Sequence, residues 1–220
     1  MDAELIEGLK KLKTGAKVNL ISIVLVLISL VIIFGSIGSI GMVNPENPQA
    51  FLVVMSTIGS FMALIVIAVI LGIIGFVMYF MATGNLRRYD SKLSIGRWGM
   101  LLQVIGLILM FVPVVVMAFI ALATGSRADG TFLVGALLSL FGLLFVGAIL
   151  IIVGAVLFGI MLMRLGEDPN VESGFKTAGI IYLIGIILSF VAGGVGEILG
   201  IVTTILIYIN AKNSLKKLAT

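Results

Sequence analysis

Apolar and polar positions along this chain are sorted into long blocks. Mostly apolar runs cover residues 18–43, 50–85, 98–125, 131–163 and 177–211, with short polar or charged segments between them. A bilayer core of about 30 Å is crossed by about 20 helical residues. Each of the first four runs therefore predicts one membrane-spanning helix, and the second and fourth are long enough to tilt or to extend past the headgroups. Asn44-Pro45-Glu46-Asn47-Pro48 and Ser126-Arg127-Ala128-Asp129-Gly130 read as turns. A basic start before an apolar run also describes a signal peptide. The first run, however, outlasts the roughly 7–15 residues of such a segment and is read as a retained helix.

The fifth run is interrupted by Gly193-Gly194-Val195-Gly196-Glu197, so it spells either one long helix or two short ones. Charge separates the two. Lys and Arg of short loops collect on the cytoplasmic side. With six helices, Lys10, Lys11, Lys13, Lys17, Arg87, Arg88, Lys92, Arg97, Arg164, Lys176, Lys212, Lys216 and Lys217 fall on one side and Arg127 alone on the other. Five helices would move the last three lysines across and set Glu197 at bilayer depth, which is costly for a carboxylate. Six helices with both termini cytoplasmic is the expectation.

Ahead of the first run, residues 2–17 have Leu5, Ile6, Leu9, Leu12 and Ala16 on one helical face. They are expected to form a cytoplasmic amphipathic segment (1–17) lying on the headgroups. The transmembrane domain then covers 18–211, and a basic cytoplasmic tail covers 212–220.

Three helix entrances align. Lys13, Arg97 and Lys176 correspond, and so do Gly15, Gly99 and Ala178. Asn19, Gln103 and Tyr182 follow at matching depth, then Ser22, Gly106 and Gly185. The returning helices carry Tyr79, Phe158 and Tyr208, each seven residues before a leucine (Leu86, Leu165, Leu215). This predicts an all-α membrane bundle of three tandem hairpins, at about 18–82, 98–163 and 177–211. Such repeats would be parallel, related about an axis along the membrane normal.

Composition narrows the chemistry. The chain of 220 residues is 61% hydrophobic and 11% charged, against about 25% charged in soluble domains. The lipid bilayer is therefore the expected surrounding. There is no Cys and no His, which removes thiolate and imidazole chemistry of every kind. No phosphate-cradling glycine motif occurs in a strand-to-helix setting. Basic residues stand at helix ends, without the basic face and flanking aromatics of a nucleic-acid binder. Glu167, Asp168 and Glu172 cluster on one connector and read as a solvated loop. No catalytic, cofactor or metal residue is assigned, and no enzyme is expected.

Two sets of residues remain as candidates. Asn19, Gln103 and Tyr182 would meet if the hairpins surround an axis, either bonding across helices or forming a polar constriction. Ala192, Gly196 and Gly200 form a ladder of small residues that lets a neighbouring helix approach, as Ser56 with Ser60 and Gly59 with Ala63 also would. Pro113 is expected to kink the third helix.

The opening Glu7-Gly8-Leu9-Lys10-Lys11-Leu12-Lys13-Thr14-Gly15-Ala16, the stretch Arg164-Leu165-Gly166-Glu167 and the ending Ile205-Leu206-Ile207-Tyr208-Ile209 resemble an archaeal family of multipass membrane proteins, domain of unknown function 973. The resemblance implies an archaeal plasma-membrane protein and brings no site residues. The expected function is a non-catalytic membrane scaffold or subunit, joined to further copies or other membrane proteins through small-residue faces. The alternative is a passive channel or carrier for a small uncharged solute. Convergence of Asn19, Gln103 and Tyr182 on one cavity would favour that alternative.

Overall fold

A computed structural model describes residues 2–40, 48–124, 130–192 and 194–219. The described residues form six long helices: α1 (Asp2–Ile40), α2 (Pro48–Tyr89), α3 (Ser94–Thr124), α4 (Gly130–Leu165), α5 (Gly174–Ala192) and α6 (Gly194–Lys217). All six are long and apolar enough to cross a membrane. The fifth apolar run is two helices. They pack against each other antiparallel, with Gly185 of α5 at the backbone of Gly196 in α6. Of the turns expected at 44–48 and 126–130, residues 44–47 and 126–129 lie outside the described residues, as does Gly193, while Pro48 and Gly130 begin α2 and α4.

Local chemistry sets the connections at the end of the bundle that carries both termini. After Tyr89, Asp90 turns extended, and its carboxylate accepts from the Lys92 amide at 2.8 Å. A short 3-10 turn (Ser91–Leu93) then leads into α3. After α4, Asp168 accepts from the Asn170 amide at 2.8 Å, the Asx turn that a short polar side chain favours over helix. Tyr89 donates its hydroxyl proton to the other Asp168 oxygen at 2.8 Å, tying the two connectors together. α3 runs through Pro113 as one helix.

Each helix packs on its neighbours in sequence, and α6 returns to α1. Among the described residues no other pair of these helices brings its backbones together. The six therefore form a closed ring. The buried core lies in the half of the ring nearest the termini, where Leu5, Leu9, Leu12, Leu86, Leu162, Leu165 and Phe175 are fully buried. In the other half, large apolar side chains turn outward, among them Val31 (71% exposed), Phe34 (70%) and Phe190 (69%). Lipid is the solvent that makes such a surface stable.

Two segments differ from expectation. Residues 2–17 are no separate interfacial helix, because α1 continues through them without a break to Ile40. Leu5, Leu9, Leu12 and Ala16 are buried in the protein core, not set against headgroups. The same apolar stripe serves either surface, and the ring offers the closer packing. Residues 212–217 likewise extend α6. Ser214 there is fully buried and accepts from the Glu172 amide at 2.9 Å.

Sidedness can be tested with single cysteines in this thiol-free chain. Ser214 is too buried to use, so Lys216→Cys and Ser126→Cys are the pair. We expect an impermeant maleimide on intact cells to label the second and spare the first. Labelling of both would refute a shared cytoplasmic location of the termini.

Candidate functional site: an axial cavity

The site begins with glycine. In α3 and α4, a Cβ on Gly99 would lie 2.6 Å from the Gly154 carbonyl oxygen, and one on Gly106 would lie 2.6 Å from that of Gly147. Gly15 and Gly75 make the matching approach of α1 to α2, at 3.1 Å. Gly159 and Gly179 draw α4 and α5 together, again with 2.6 Å from a Cβ on Gly179 to the Gly159 oxygen. Small residues at these positions let backbones touch, which supplies the packing that lipid-embedded helices need. Across α1 and α2, the Ser22 hydroxyl also donates to the Ala68 carbonyl at 2.7 Å.

Close packing at the glycines aims particular side chains inward. Asn19 of α1 lies against Gly75, and Gln103 of α3 lies against Gly154. These two and Tyr182 of α5 line a single cavity of about 480 Å³. Tyr79 of α2, Phe158 of α4, and Glu197, Gly200, Thr203 and Thr204 of α6 complete it, so every helix contributes. The rings at its base are in contact: Tyr79 to Phe158 at 5.7 Å between centroids, and Phe158 to Tyr182 at 5.8 Å in a T-shaped pair. Such edge-to-face pairs hold ring orientations as well as area. Met100 and Ile207 close the base, each 2% exposed. Ile23, Val26, Leu27 and Leu30 form an apolar wall.

Two polar atoms at this base have no partner. The Tyr79 hydroxyl and the Gln103 amide nitrogen are buried and make no hydrogen bond. Tyr79 is only 8% exposed; its hydroxyl faces the Asn19 side chain but not in hydrogen-bonding geometry. Buried polar groups are nearly always satisfied, so two unspent ones in one cavity point to a ligand or solvent role. Thr203 and Thr204 differ, since their hydroxyls donate to the Leu199 and Gly200 carbonyls at 2.9 Å. They offer the cavity acceptor oxygens only. Glu197, in the first turn of α6, is exposed and is the one carboxylate of the lining.

Removing a buried, unpartnered hydroxyl deletes a desolvation cost and no hydrogen bond. Tyr79→Phe is therefore expected to leave thermal stability in detergent unchanged or raised, by up to about 1 kcal/mol. A loss of that size or more would show that the hydroxyl is bonded within the fold.

The polar trio expected from the sequence is thus brought together. The small-residue ladder is not one surface. Gly196 is a packing position, where a Cβ would meet the Ser189 hydroxyl and come within 2.7 Å of the Gly185 oxygen. Gly200 has nothing within 4 Å of a Cβ and opens on the cavity, while Ala192 is exposed. The aromatic alignment of the returning helices also shifts. Tyr79 and Phe158 line the cavity with Ile207, not with Tyr208. The buried faces Tyr79, Ala82, Leu86 and Phe158, Met161, Leu165 correspond in α6 to Ile207, Asn210 and Ser214. Matching by aromatic identity placed that register one residue late. Glu197, Thr203 and Thr204 were missed because a turn glutamate and two threonines in an apolar run have many other uses.

The protein family of unknown function termed DUF973 matches residues 5–220. The chain belongs to this family. No curated protein and no solved structure matches this DUF973 protein. Its functional reading therefore rests on the cavity itself.

Proposed function

We propose that this DUF973 protein is a passive carrier for a small uncharged solute, which it holds in the axial cavity. The carrying observation is that Asn19, Gln103 and Tyr182, one from each successive hairpin, line the same space. At about 480 Å³ the cavity falls in the range of small-molecule sites, about 300–1,000 Å³, with mostly apolar walls and a few placed polar groups. The unpartnered Tyr79 and Gln103 groups offer hydrogen bonds at its base. At the aromatic base a charged solute would lose its hydration for no opposite charge, since the one carboxylate of the lining, Glu197, stands exposed in the first turn of α6.

The fully buried leucines beneath the aromatic base support a carrier over an open channel. They close the cavity toward the termini. We read the six helices as three tandem hairpins, which is supported by recurrence of one buried pattern. Leu12, Gly96 and Phe175 are buried at equivalent places, as are Ala16, Met100 and Gly179. The basic residues support placing the closed end in the cytoplasm.

A scaffold role keeps one supporting feature. Ser56, Gly59 and Ser60 are exposed on α2, and nothing lies within 4 Å of a Cβ on Gly59. Solute flux separates the readings. Proteoliposomes should shrink and recover faster than protein-free vesicles in a glycerol or urea gradient, but not in a sucrose gradient. Identical recovery with and without protein for glycerol and urea would remove the carrier and leave the scaffold.

A further inference from the structure

A second pocket lies outside the axial one, at the terminal end of the ring. α2 and α3 make the loosest neighbour contact of the six, and between them opens a groove of about 470 Å³. Lys11, Arg87, Arg88 and Arg97 all line it. Arg97 is held in place, stacked 3.5 Å from the Phe80 ring centroid and donating to the Phe80 carbonyl at 2.7 Å. Glu7 pairs with Lys11 at 2.6 Å, its side chain is 59% exposed, and its carboxylate also faces the Asn85 amide and Arg88. Arg87 and Arg97 have no carboxylate partner among the described residues. Asn85, only 9% exposed, lines the same groove with an amide nitrogen that makes no hydrogen bond. Two arginines without a carboxylate partner, beside a buried amide nitrogen that makes no hydrogen bond, form a set that an acceptor-rich anion satisfies. Guanidinium groups match phosphate oxygens through paired N–H donors.

From this groove we infer a binding site for a phosphate-bearing anion, the headgroup of an anionic lipid. Its place favours lipid over a soluble ion. Met81, 42% exposed, lines the groove beside Phe80, so an acyl chain can continue along α2 from a phosphate seated at the arginines. Basic pockets between membrane helices hold headgroups in this way. The site is independent of the solute cavity, and neither stands or falls with the other.

The single tryptophan, Trp98, supplies the readout, being next to Arg97 and 59% exposed. The whole protein is reconstituted in phosphatidylcholine bilayers containing brominated phosphatidylglycerol or, separately, brominated phosphatidylcholine. We expect the anionic lipid to quench Trp98 at a concentration at least about fivefold lower, on the order of one favourable arginine contact. Arg87→Gln with Arg88→Gln, both exposed and so tolerated by the fold, should abolish that preference. Lys212→Gln with Lys216→Gln, at the same end but outside the groove, should keep it. Equal quenching by the two lipids, or equal loss in both double variants, would overturn the site. Loss of the preference when soluble glycerol phosphate is added would overturn the lipid as occupant and leave a phosphate site for a soluble ester.

Discussion

Gly154→Leu is expected to destroy the α3–α4 hairpin, while Gly142→Leu on the same helix leaves the protein as stable as before. A Cβ on Gly154 would run into the Gly99 carbonyl oxygen, with the Gln103 Cγ at 2.8 Å and its backbone nitrogen at 3.0 Å. Two of these obstacles are backbone, so no rotamer change relieves them. Around Gly142 nothing lies within 4 Å. Overpacking costs typically about 1–3 kcal/mol and more where the surroundings cannot move. Here the helices must separate, and their contacts at Gly106 and Gly147 go with them. The expected outcome is a loss of at least about 3 kcal/mol, seen as aggregation or a collapsed melting temperature in detergent. A Gly154→Leu protein that melts with the wild type would mean that α3 and α4 do not touch as described.

Gly200→Leu makes the opposite prediction, loss of function without loss of fold. Open space faces Gly200 on the cavity side, so a leucine there fills solute volume and displaces no neighbour. Glycerol flux in proteoliposomes should fall by at least about tenfold, the equivalent of about 1.4 kcal/mol, with an unchanged melting temperature. Gly196→Leu, one helical turn away, should lose stability instead, because its site is filled by Ser189 and the Gly185 carbonyl. The pair separates packing from passage. Equal flux for Gly200→Leu and wild type would show that solute does not cross this cavity. Destabilisation by Gly200→Leu equal to that of Gly196→Leu would return both residues to a packing face.

Much of the architecture follows from one-residue properties added along the chain. Hydropathy alone marks the membrane segments, since each apolar residue carries its transfer preference whatever its neighbours. The sorting of lysine and arginine divides the fifth run in two, because an even number of crossings is needed to keep the basic ends together. Polar residues at one depth, Asn19, Gln103 and Tyr182, are also visible, since a costly side chain recurring at equivalent places in apolar runs is seldom accidental.

What the tertiary structure decides is which face of each helix meets which neighbour. In soluble helices, burial follows apolar character, and period reveals the inner face. In a bilayer, inner and outer faces are equally apolar, and the pattern that would distinguish them fades. Hence Gly196 and Gly200 look alike in sequence, yet one touches a backbone and the other opens on the cavity. Tyr208 looked equivalent to Phe158, while Ile207 holds that place. Leu5, Leu9 and Leu12 make a stripe suited to headgroups or to protein, and only the return of α6 onto α1 supplies the protein surface that buries it. The sequence determined that the helices cross and which ends are basic, because those terms are additive. The closed ring determined what lies on its axis, because that is a property of pairs.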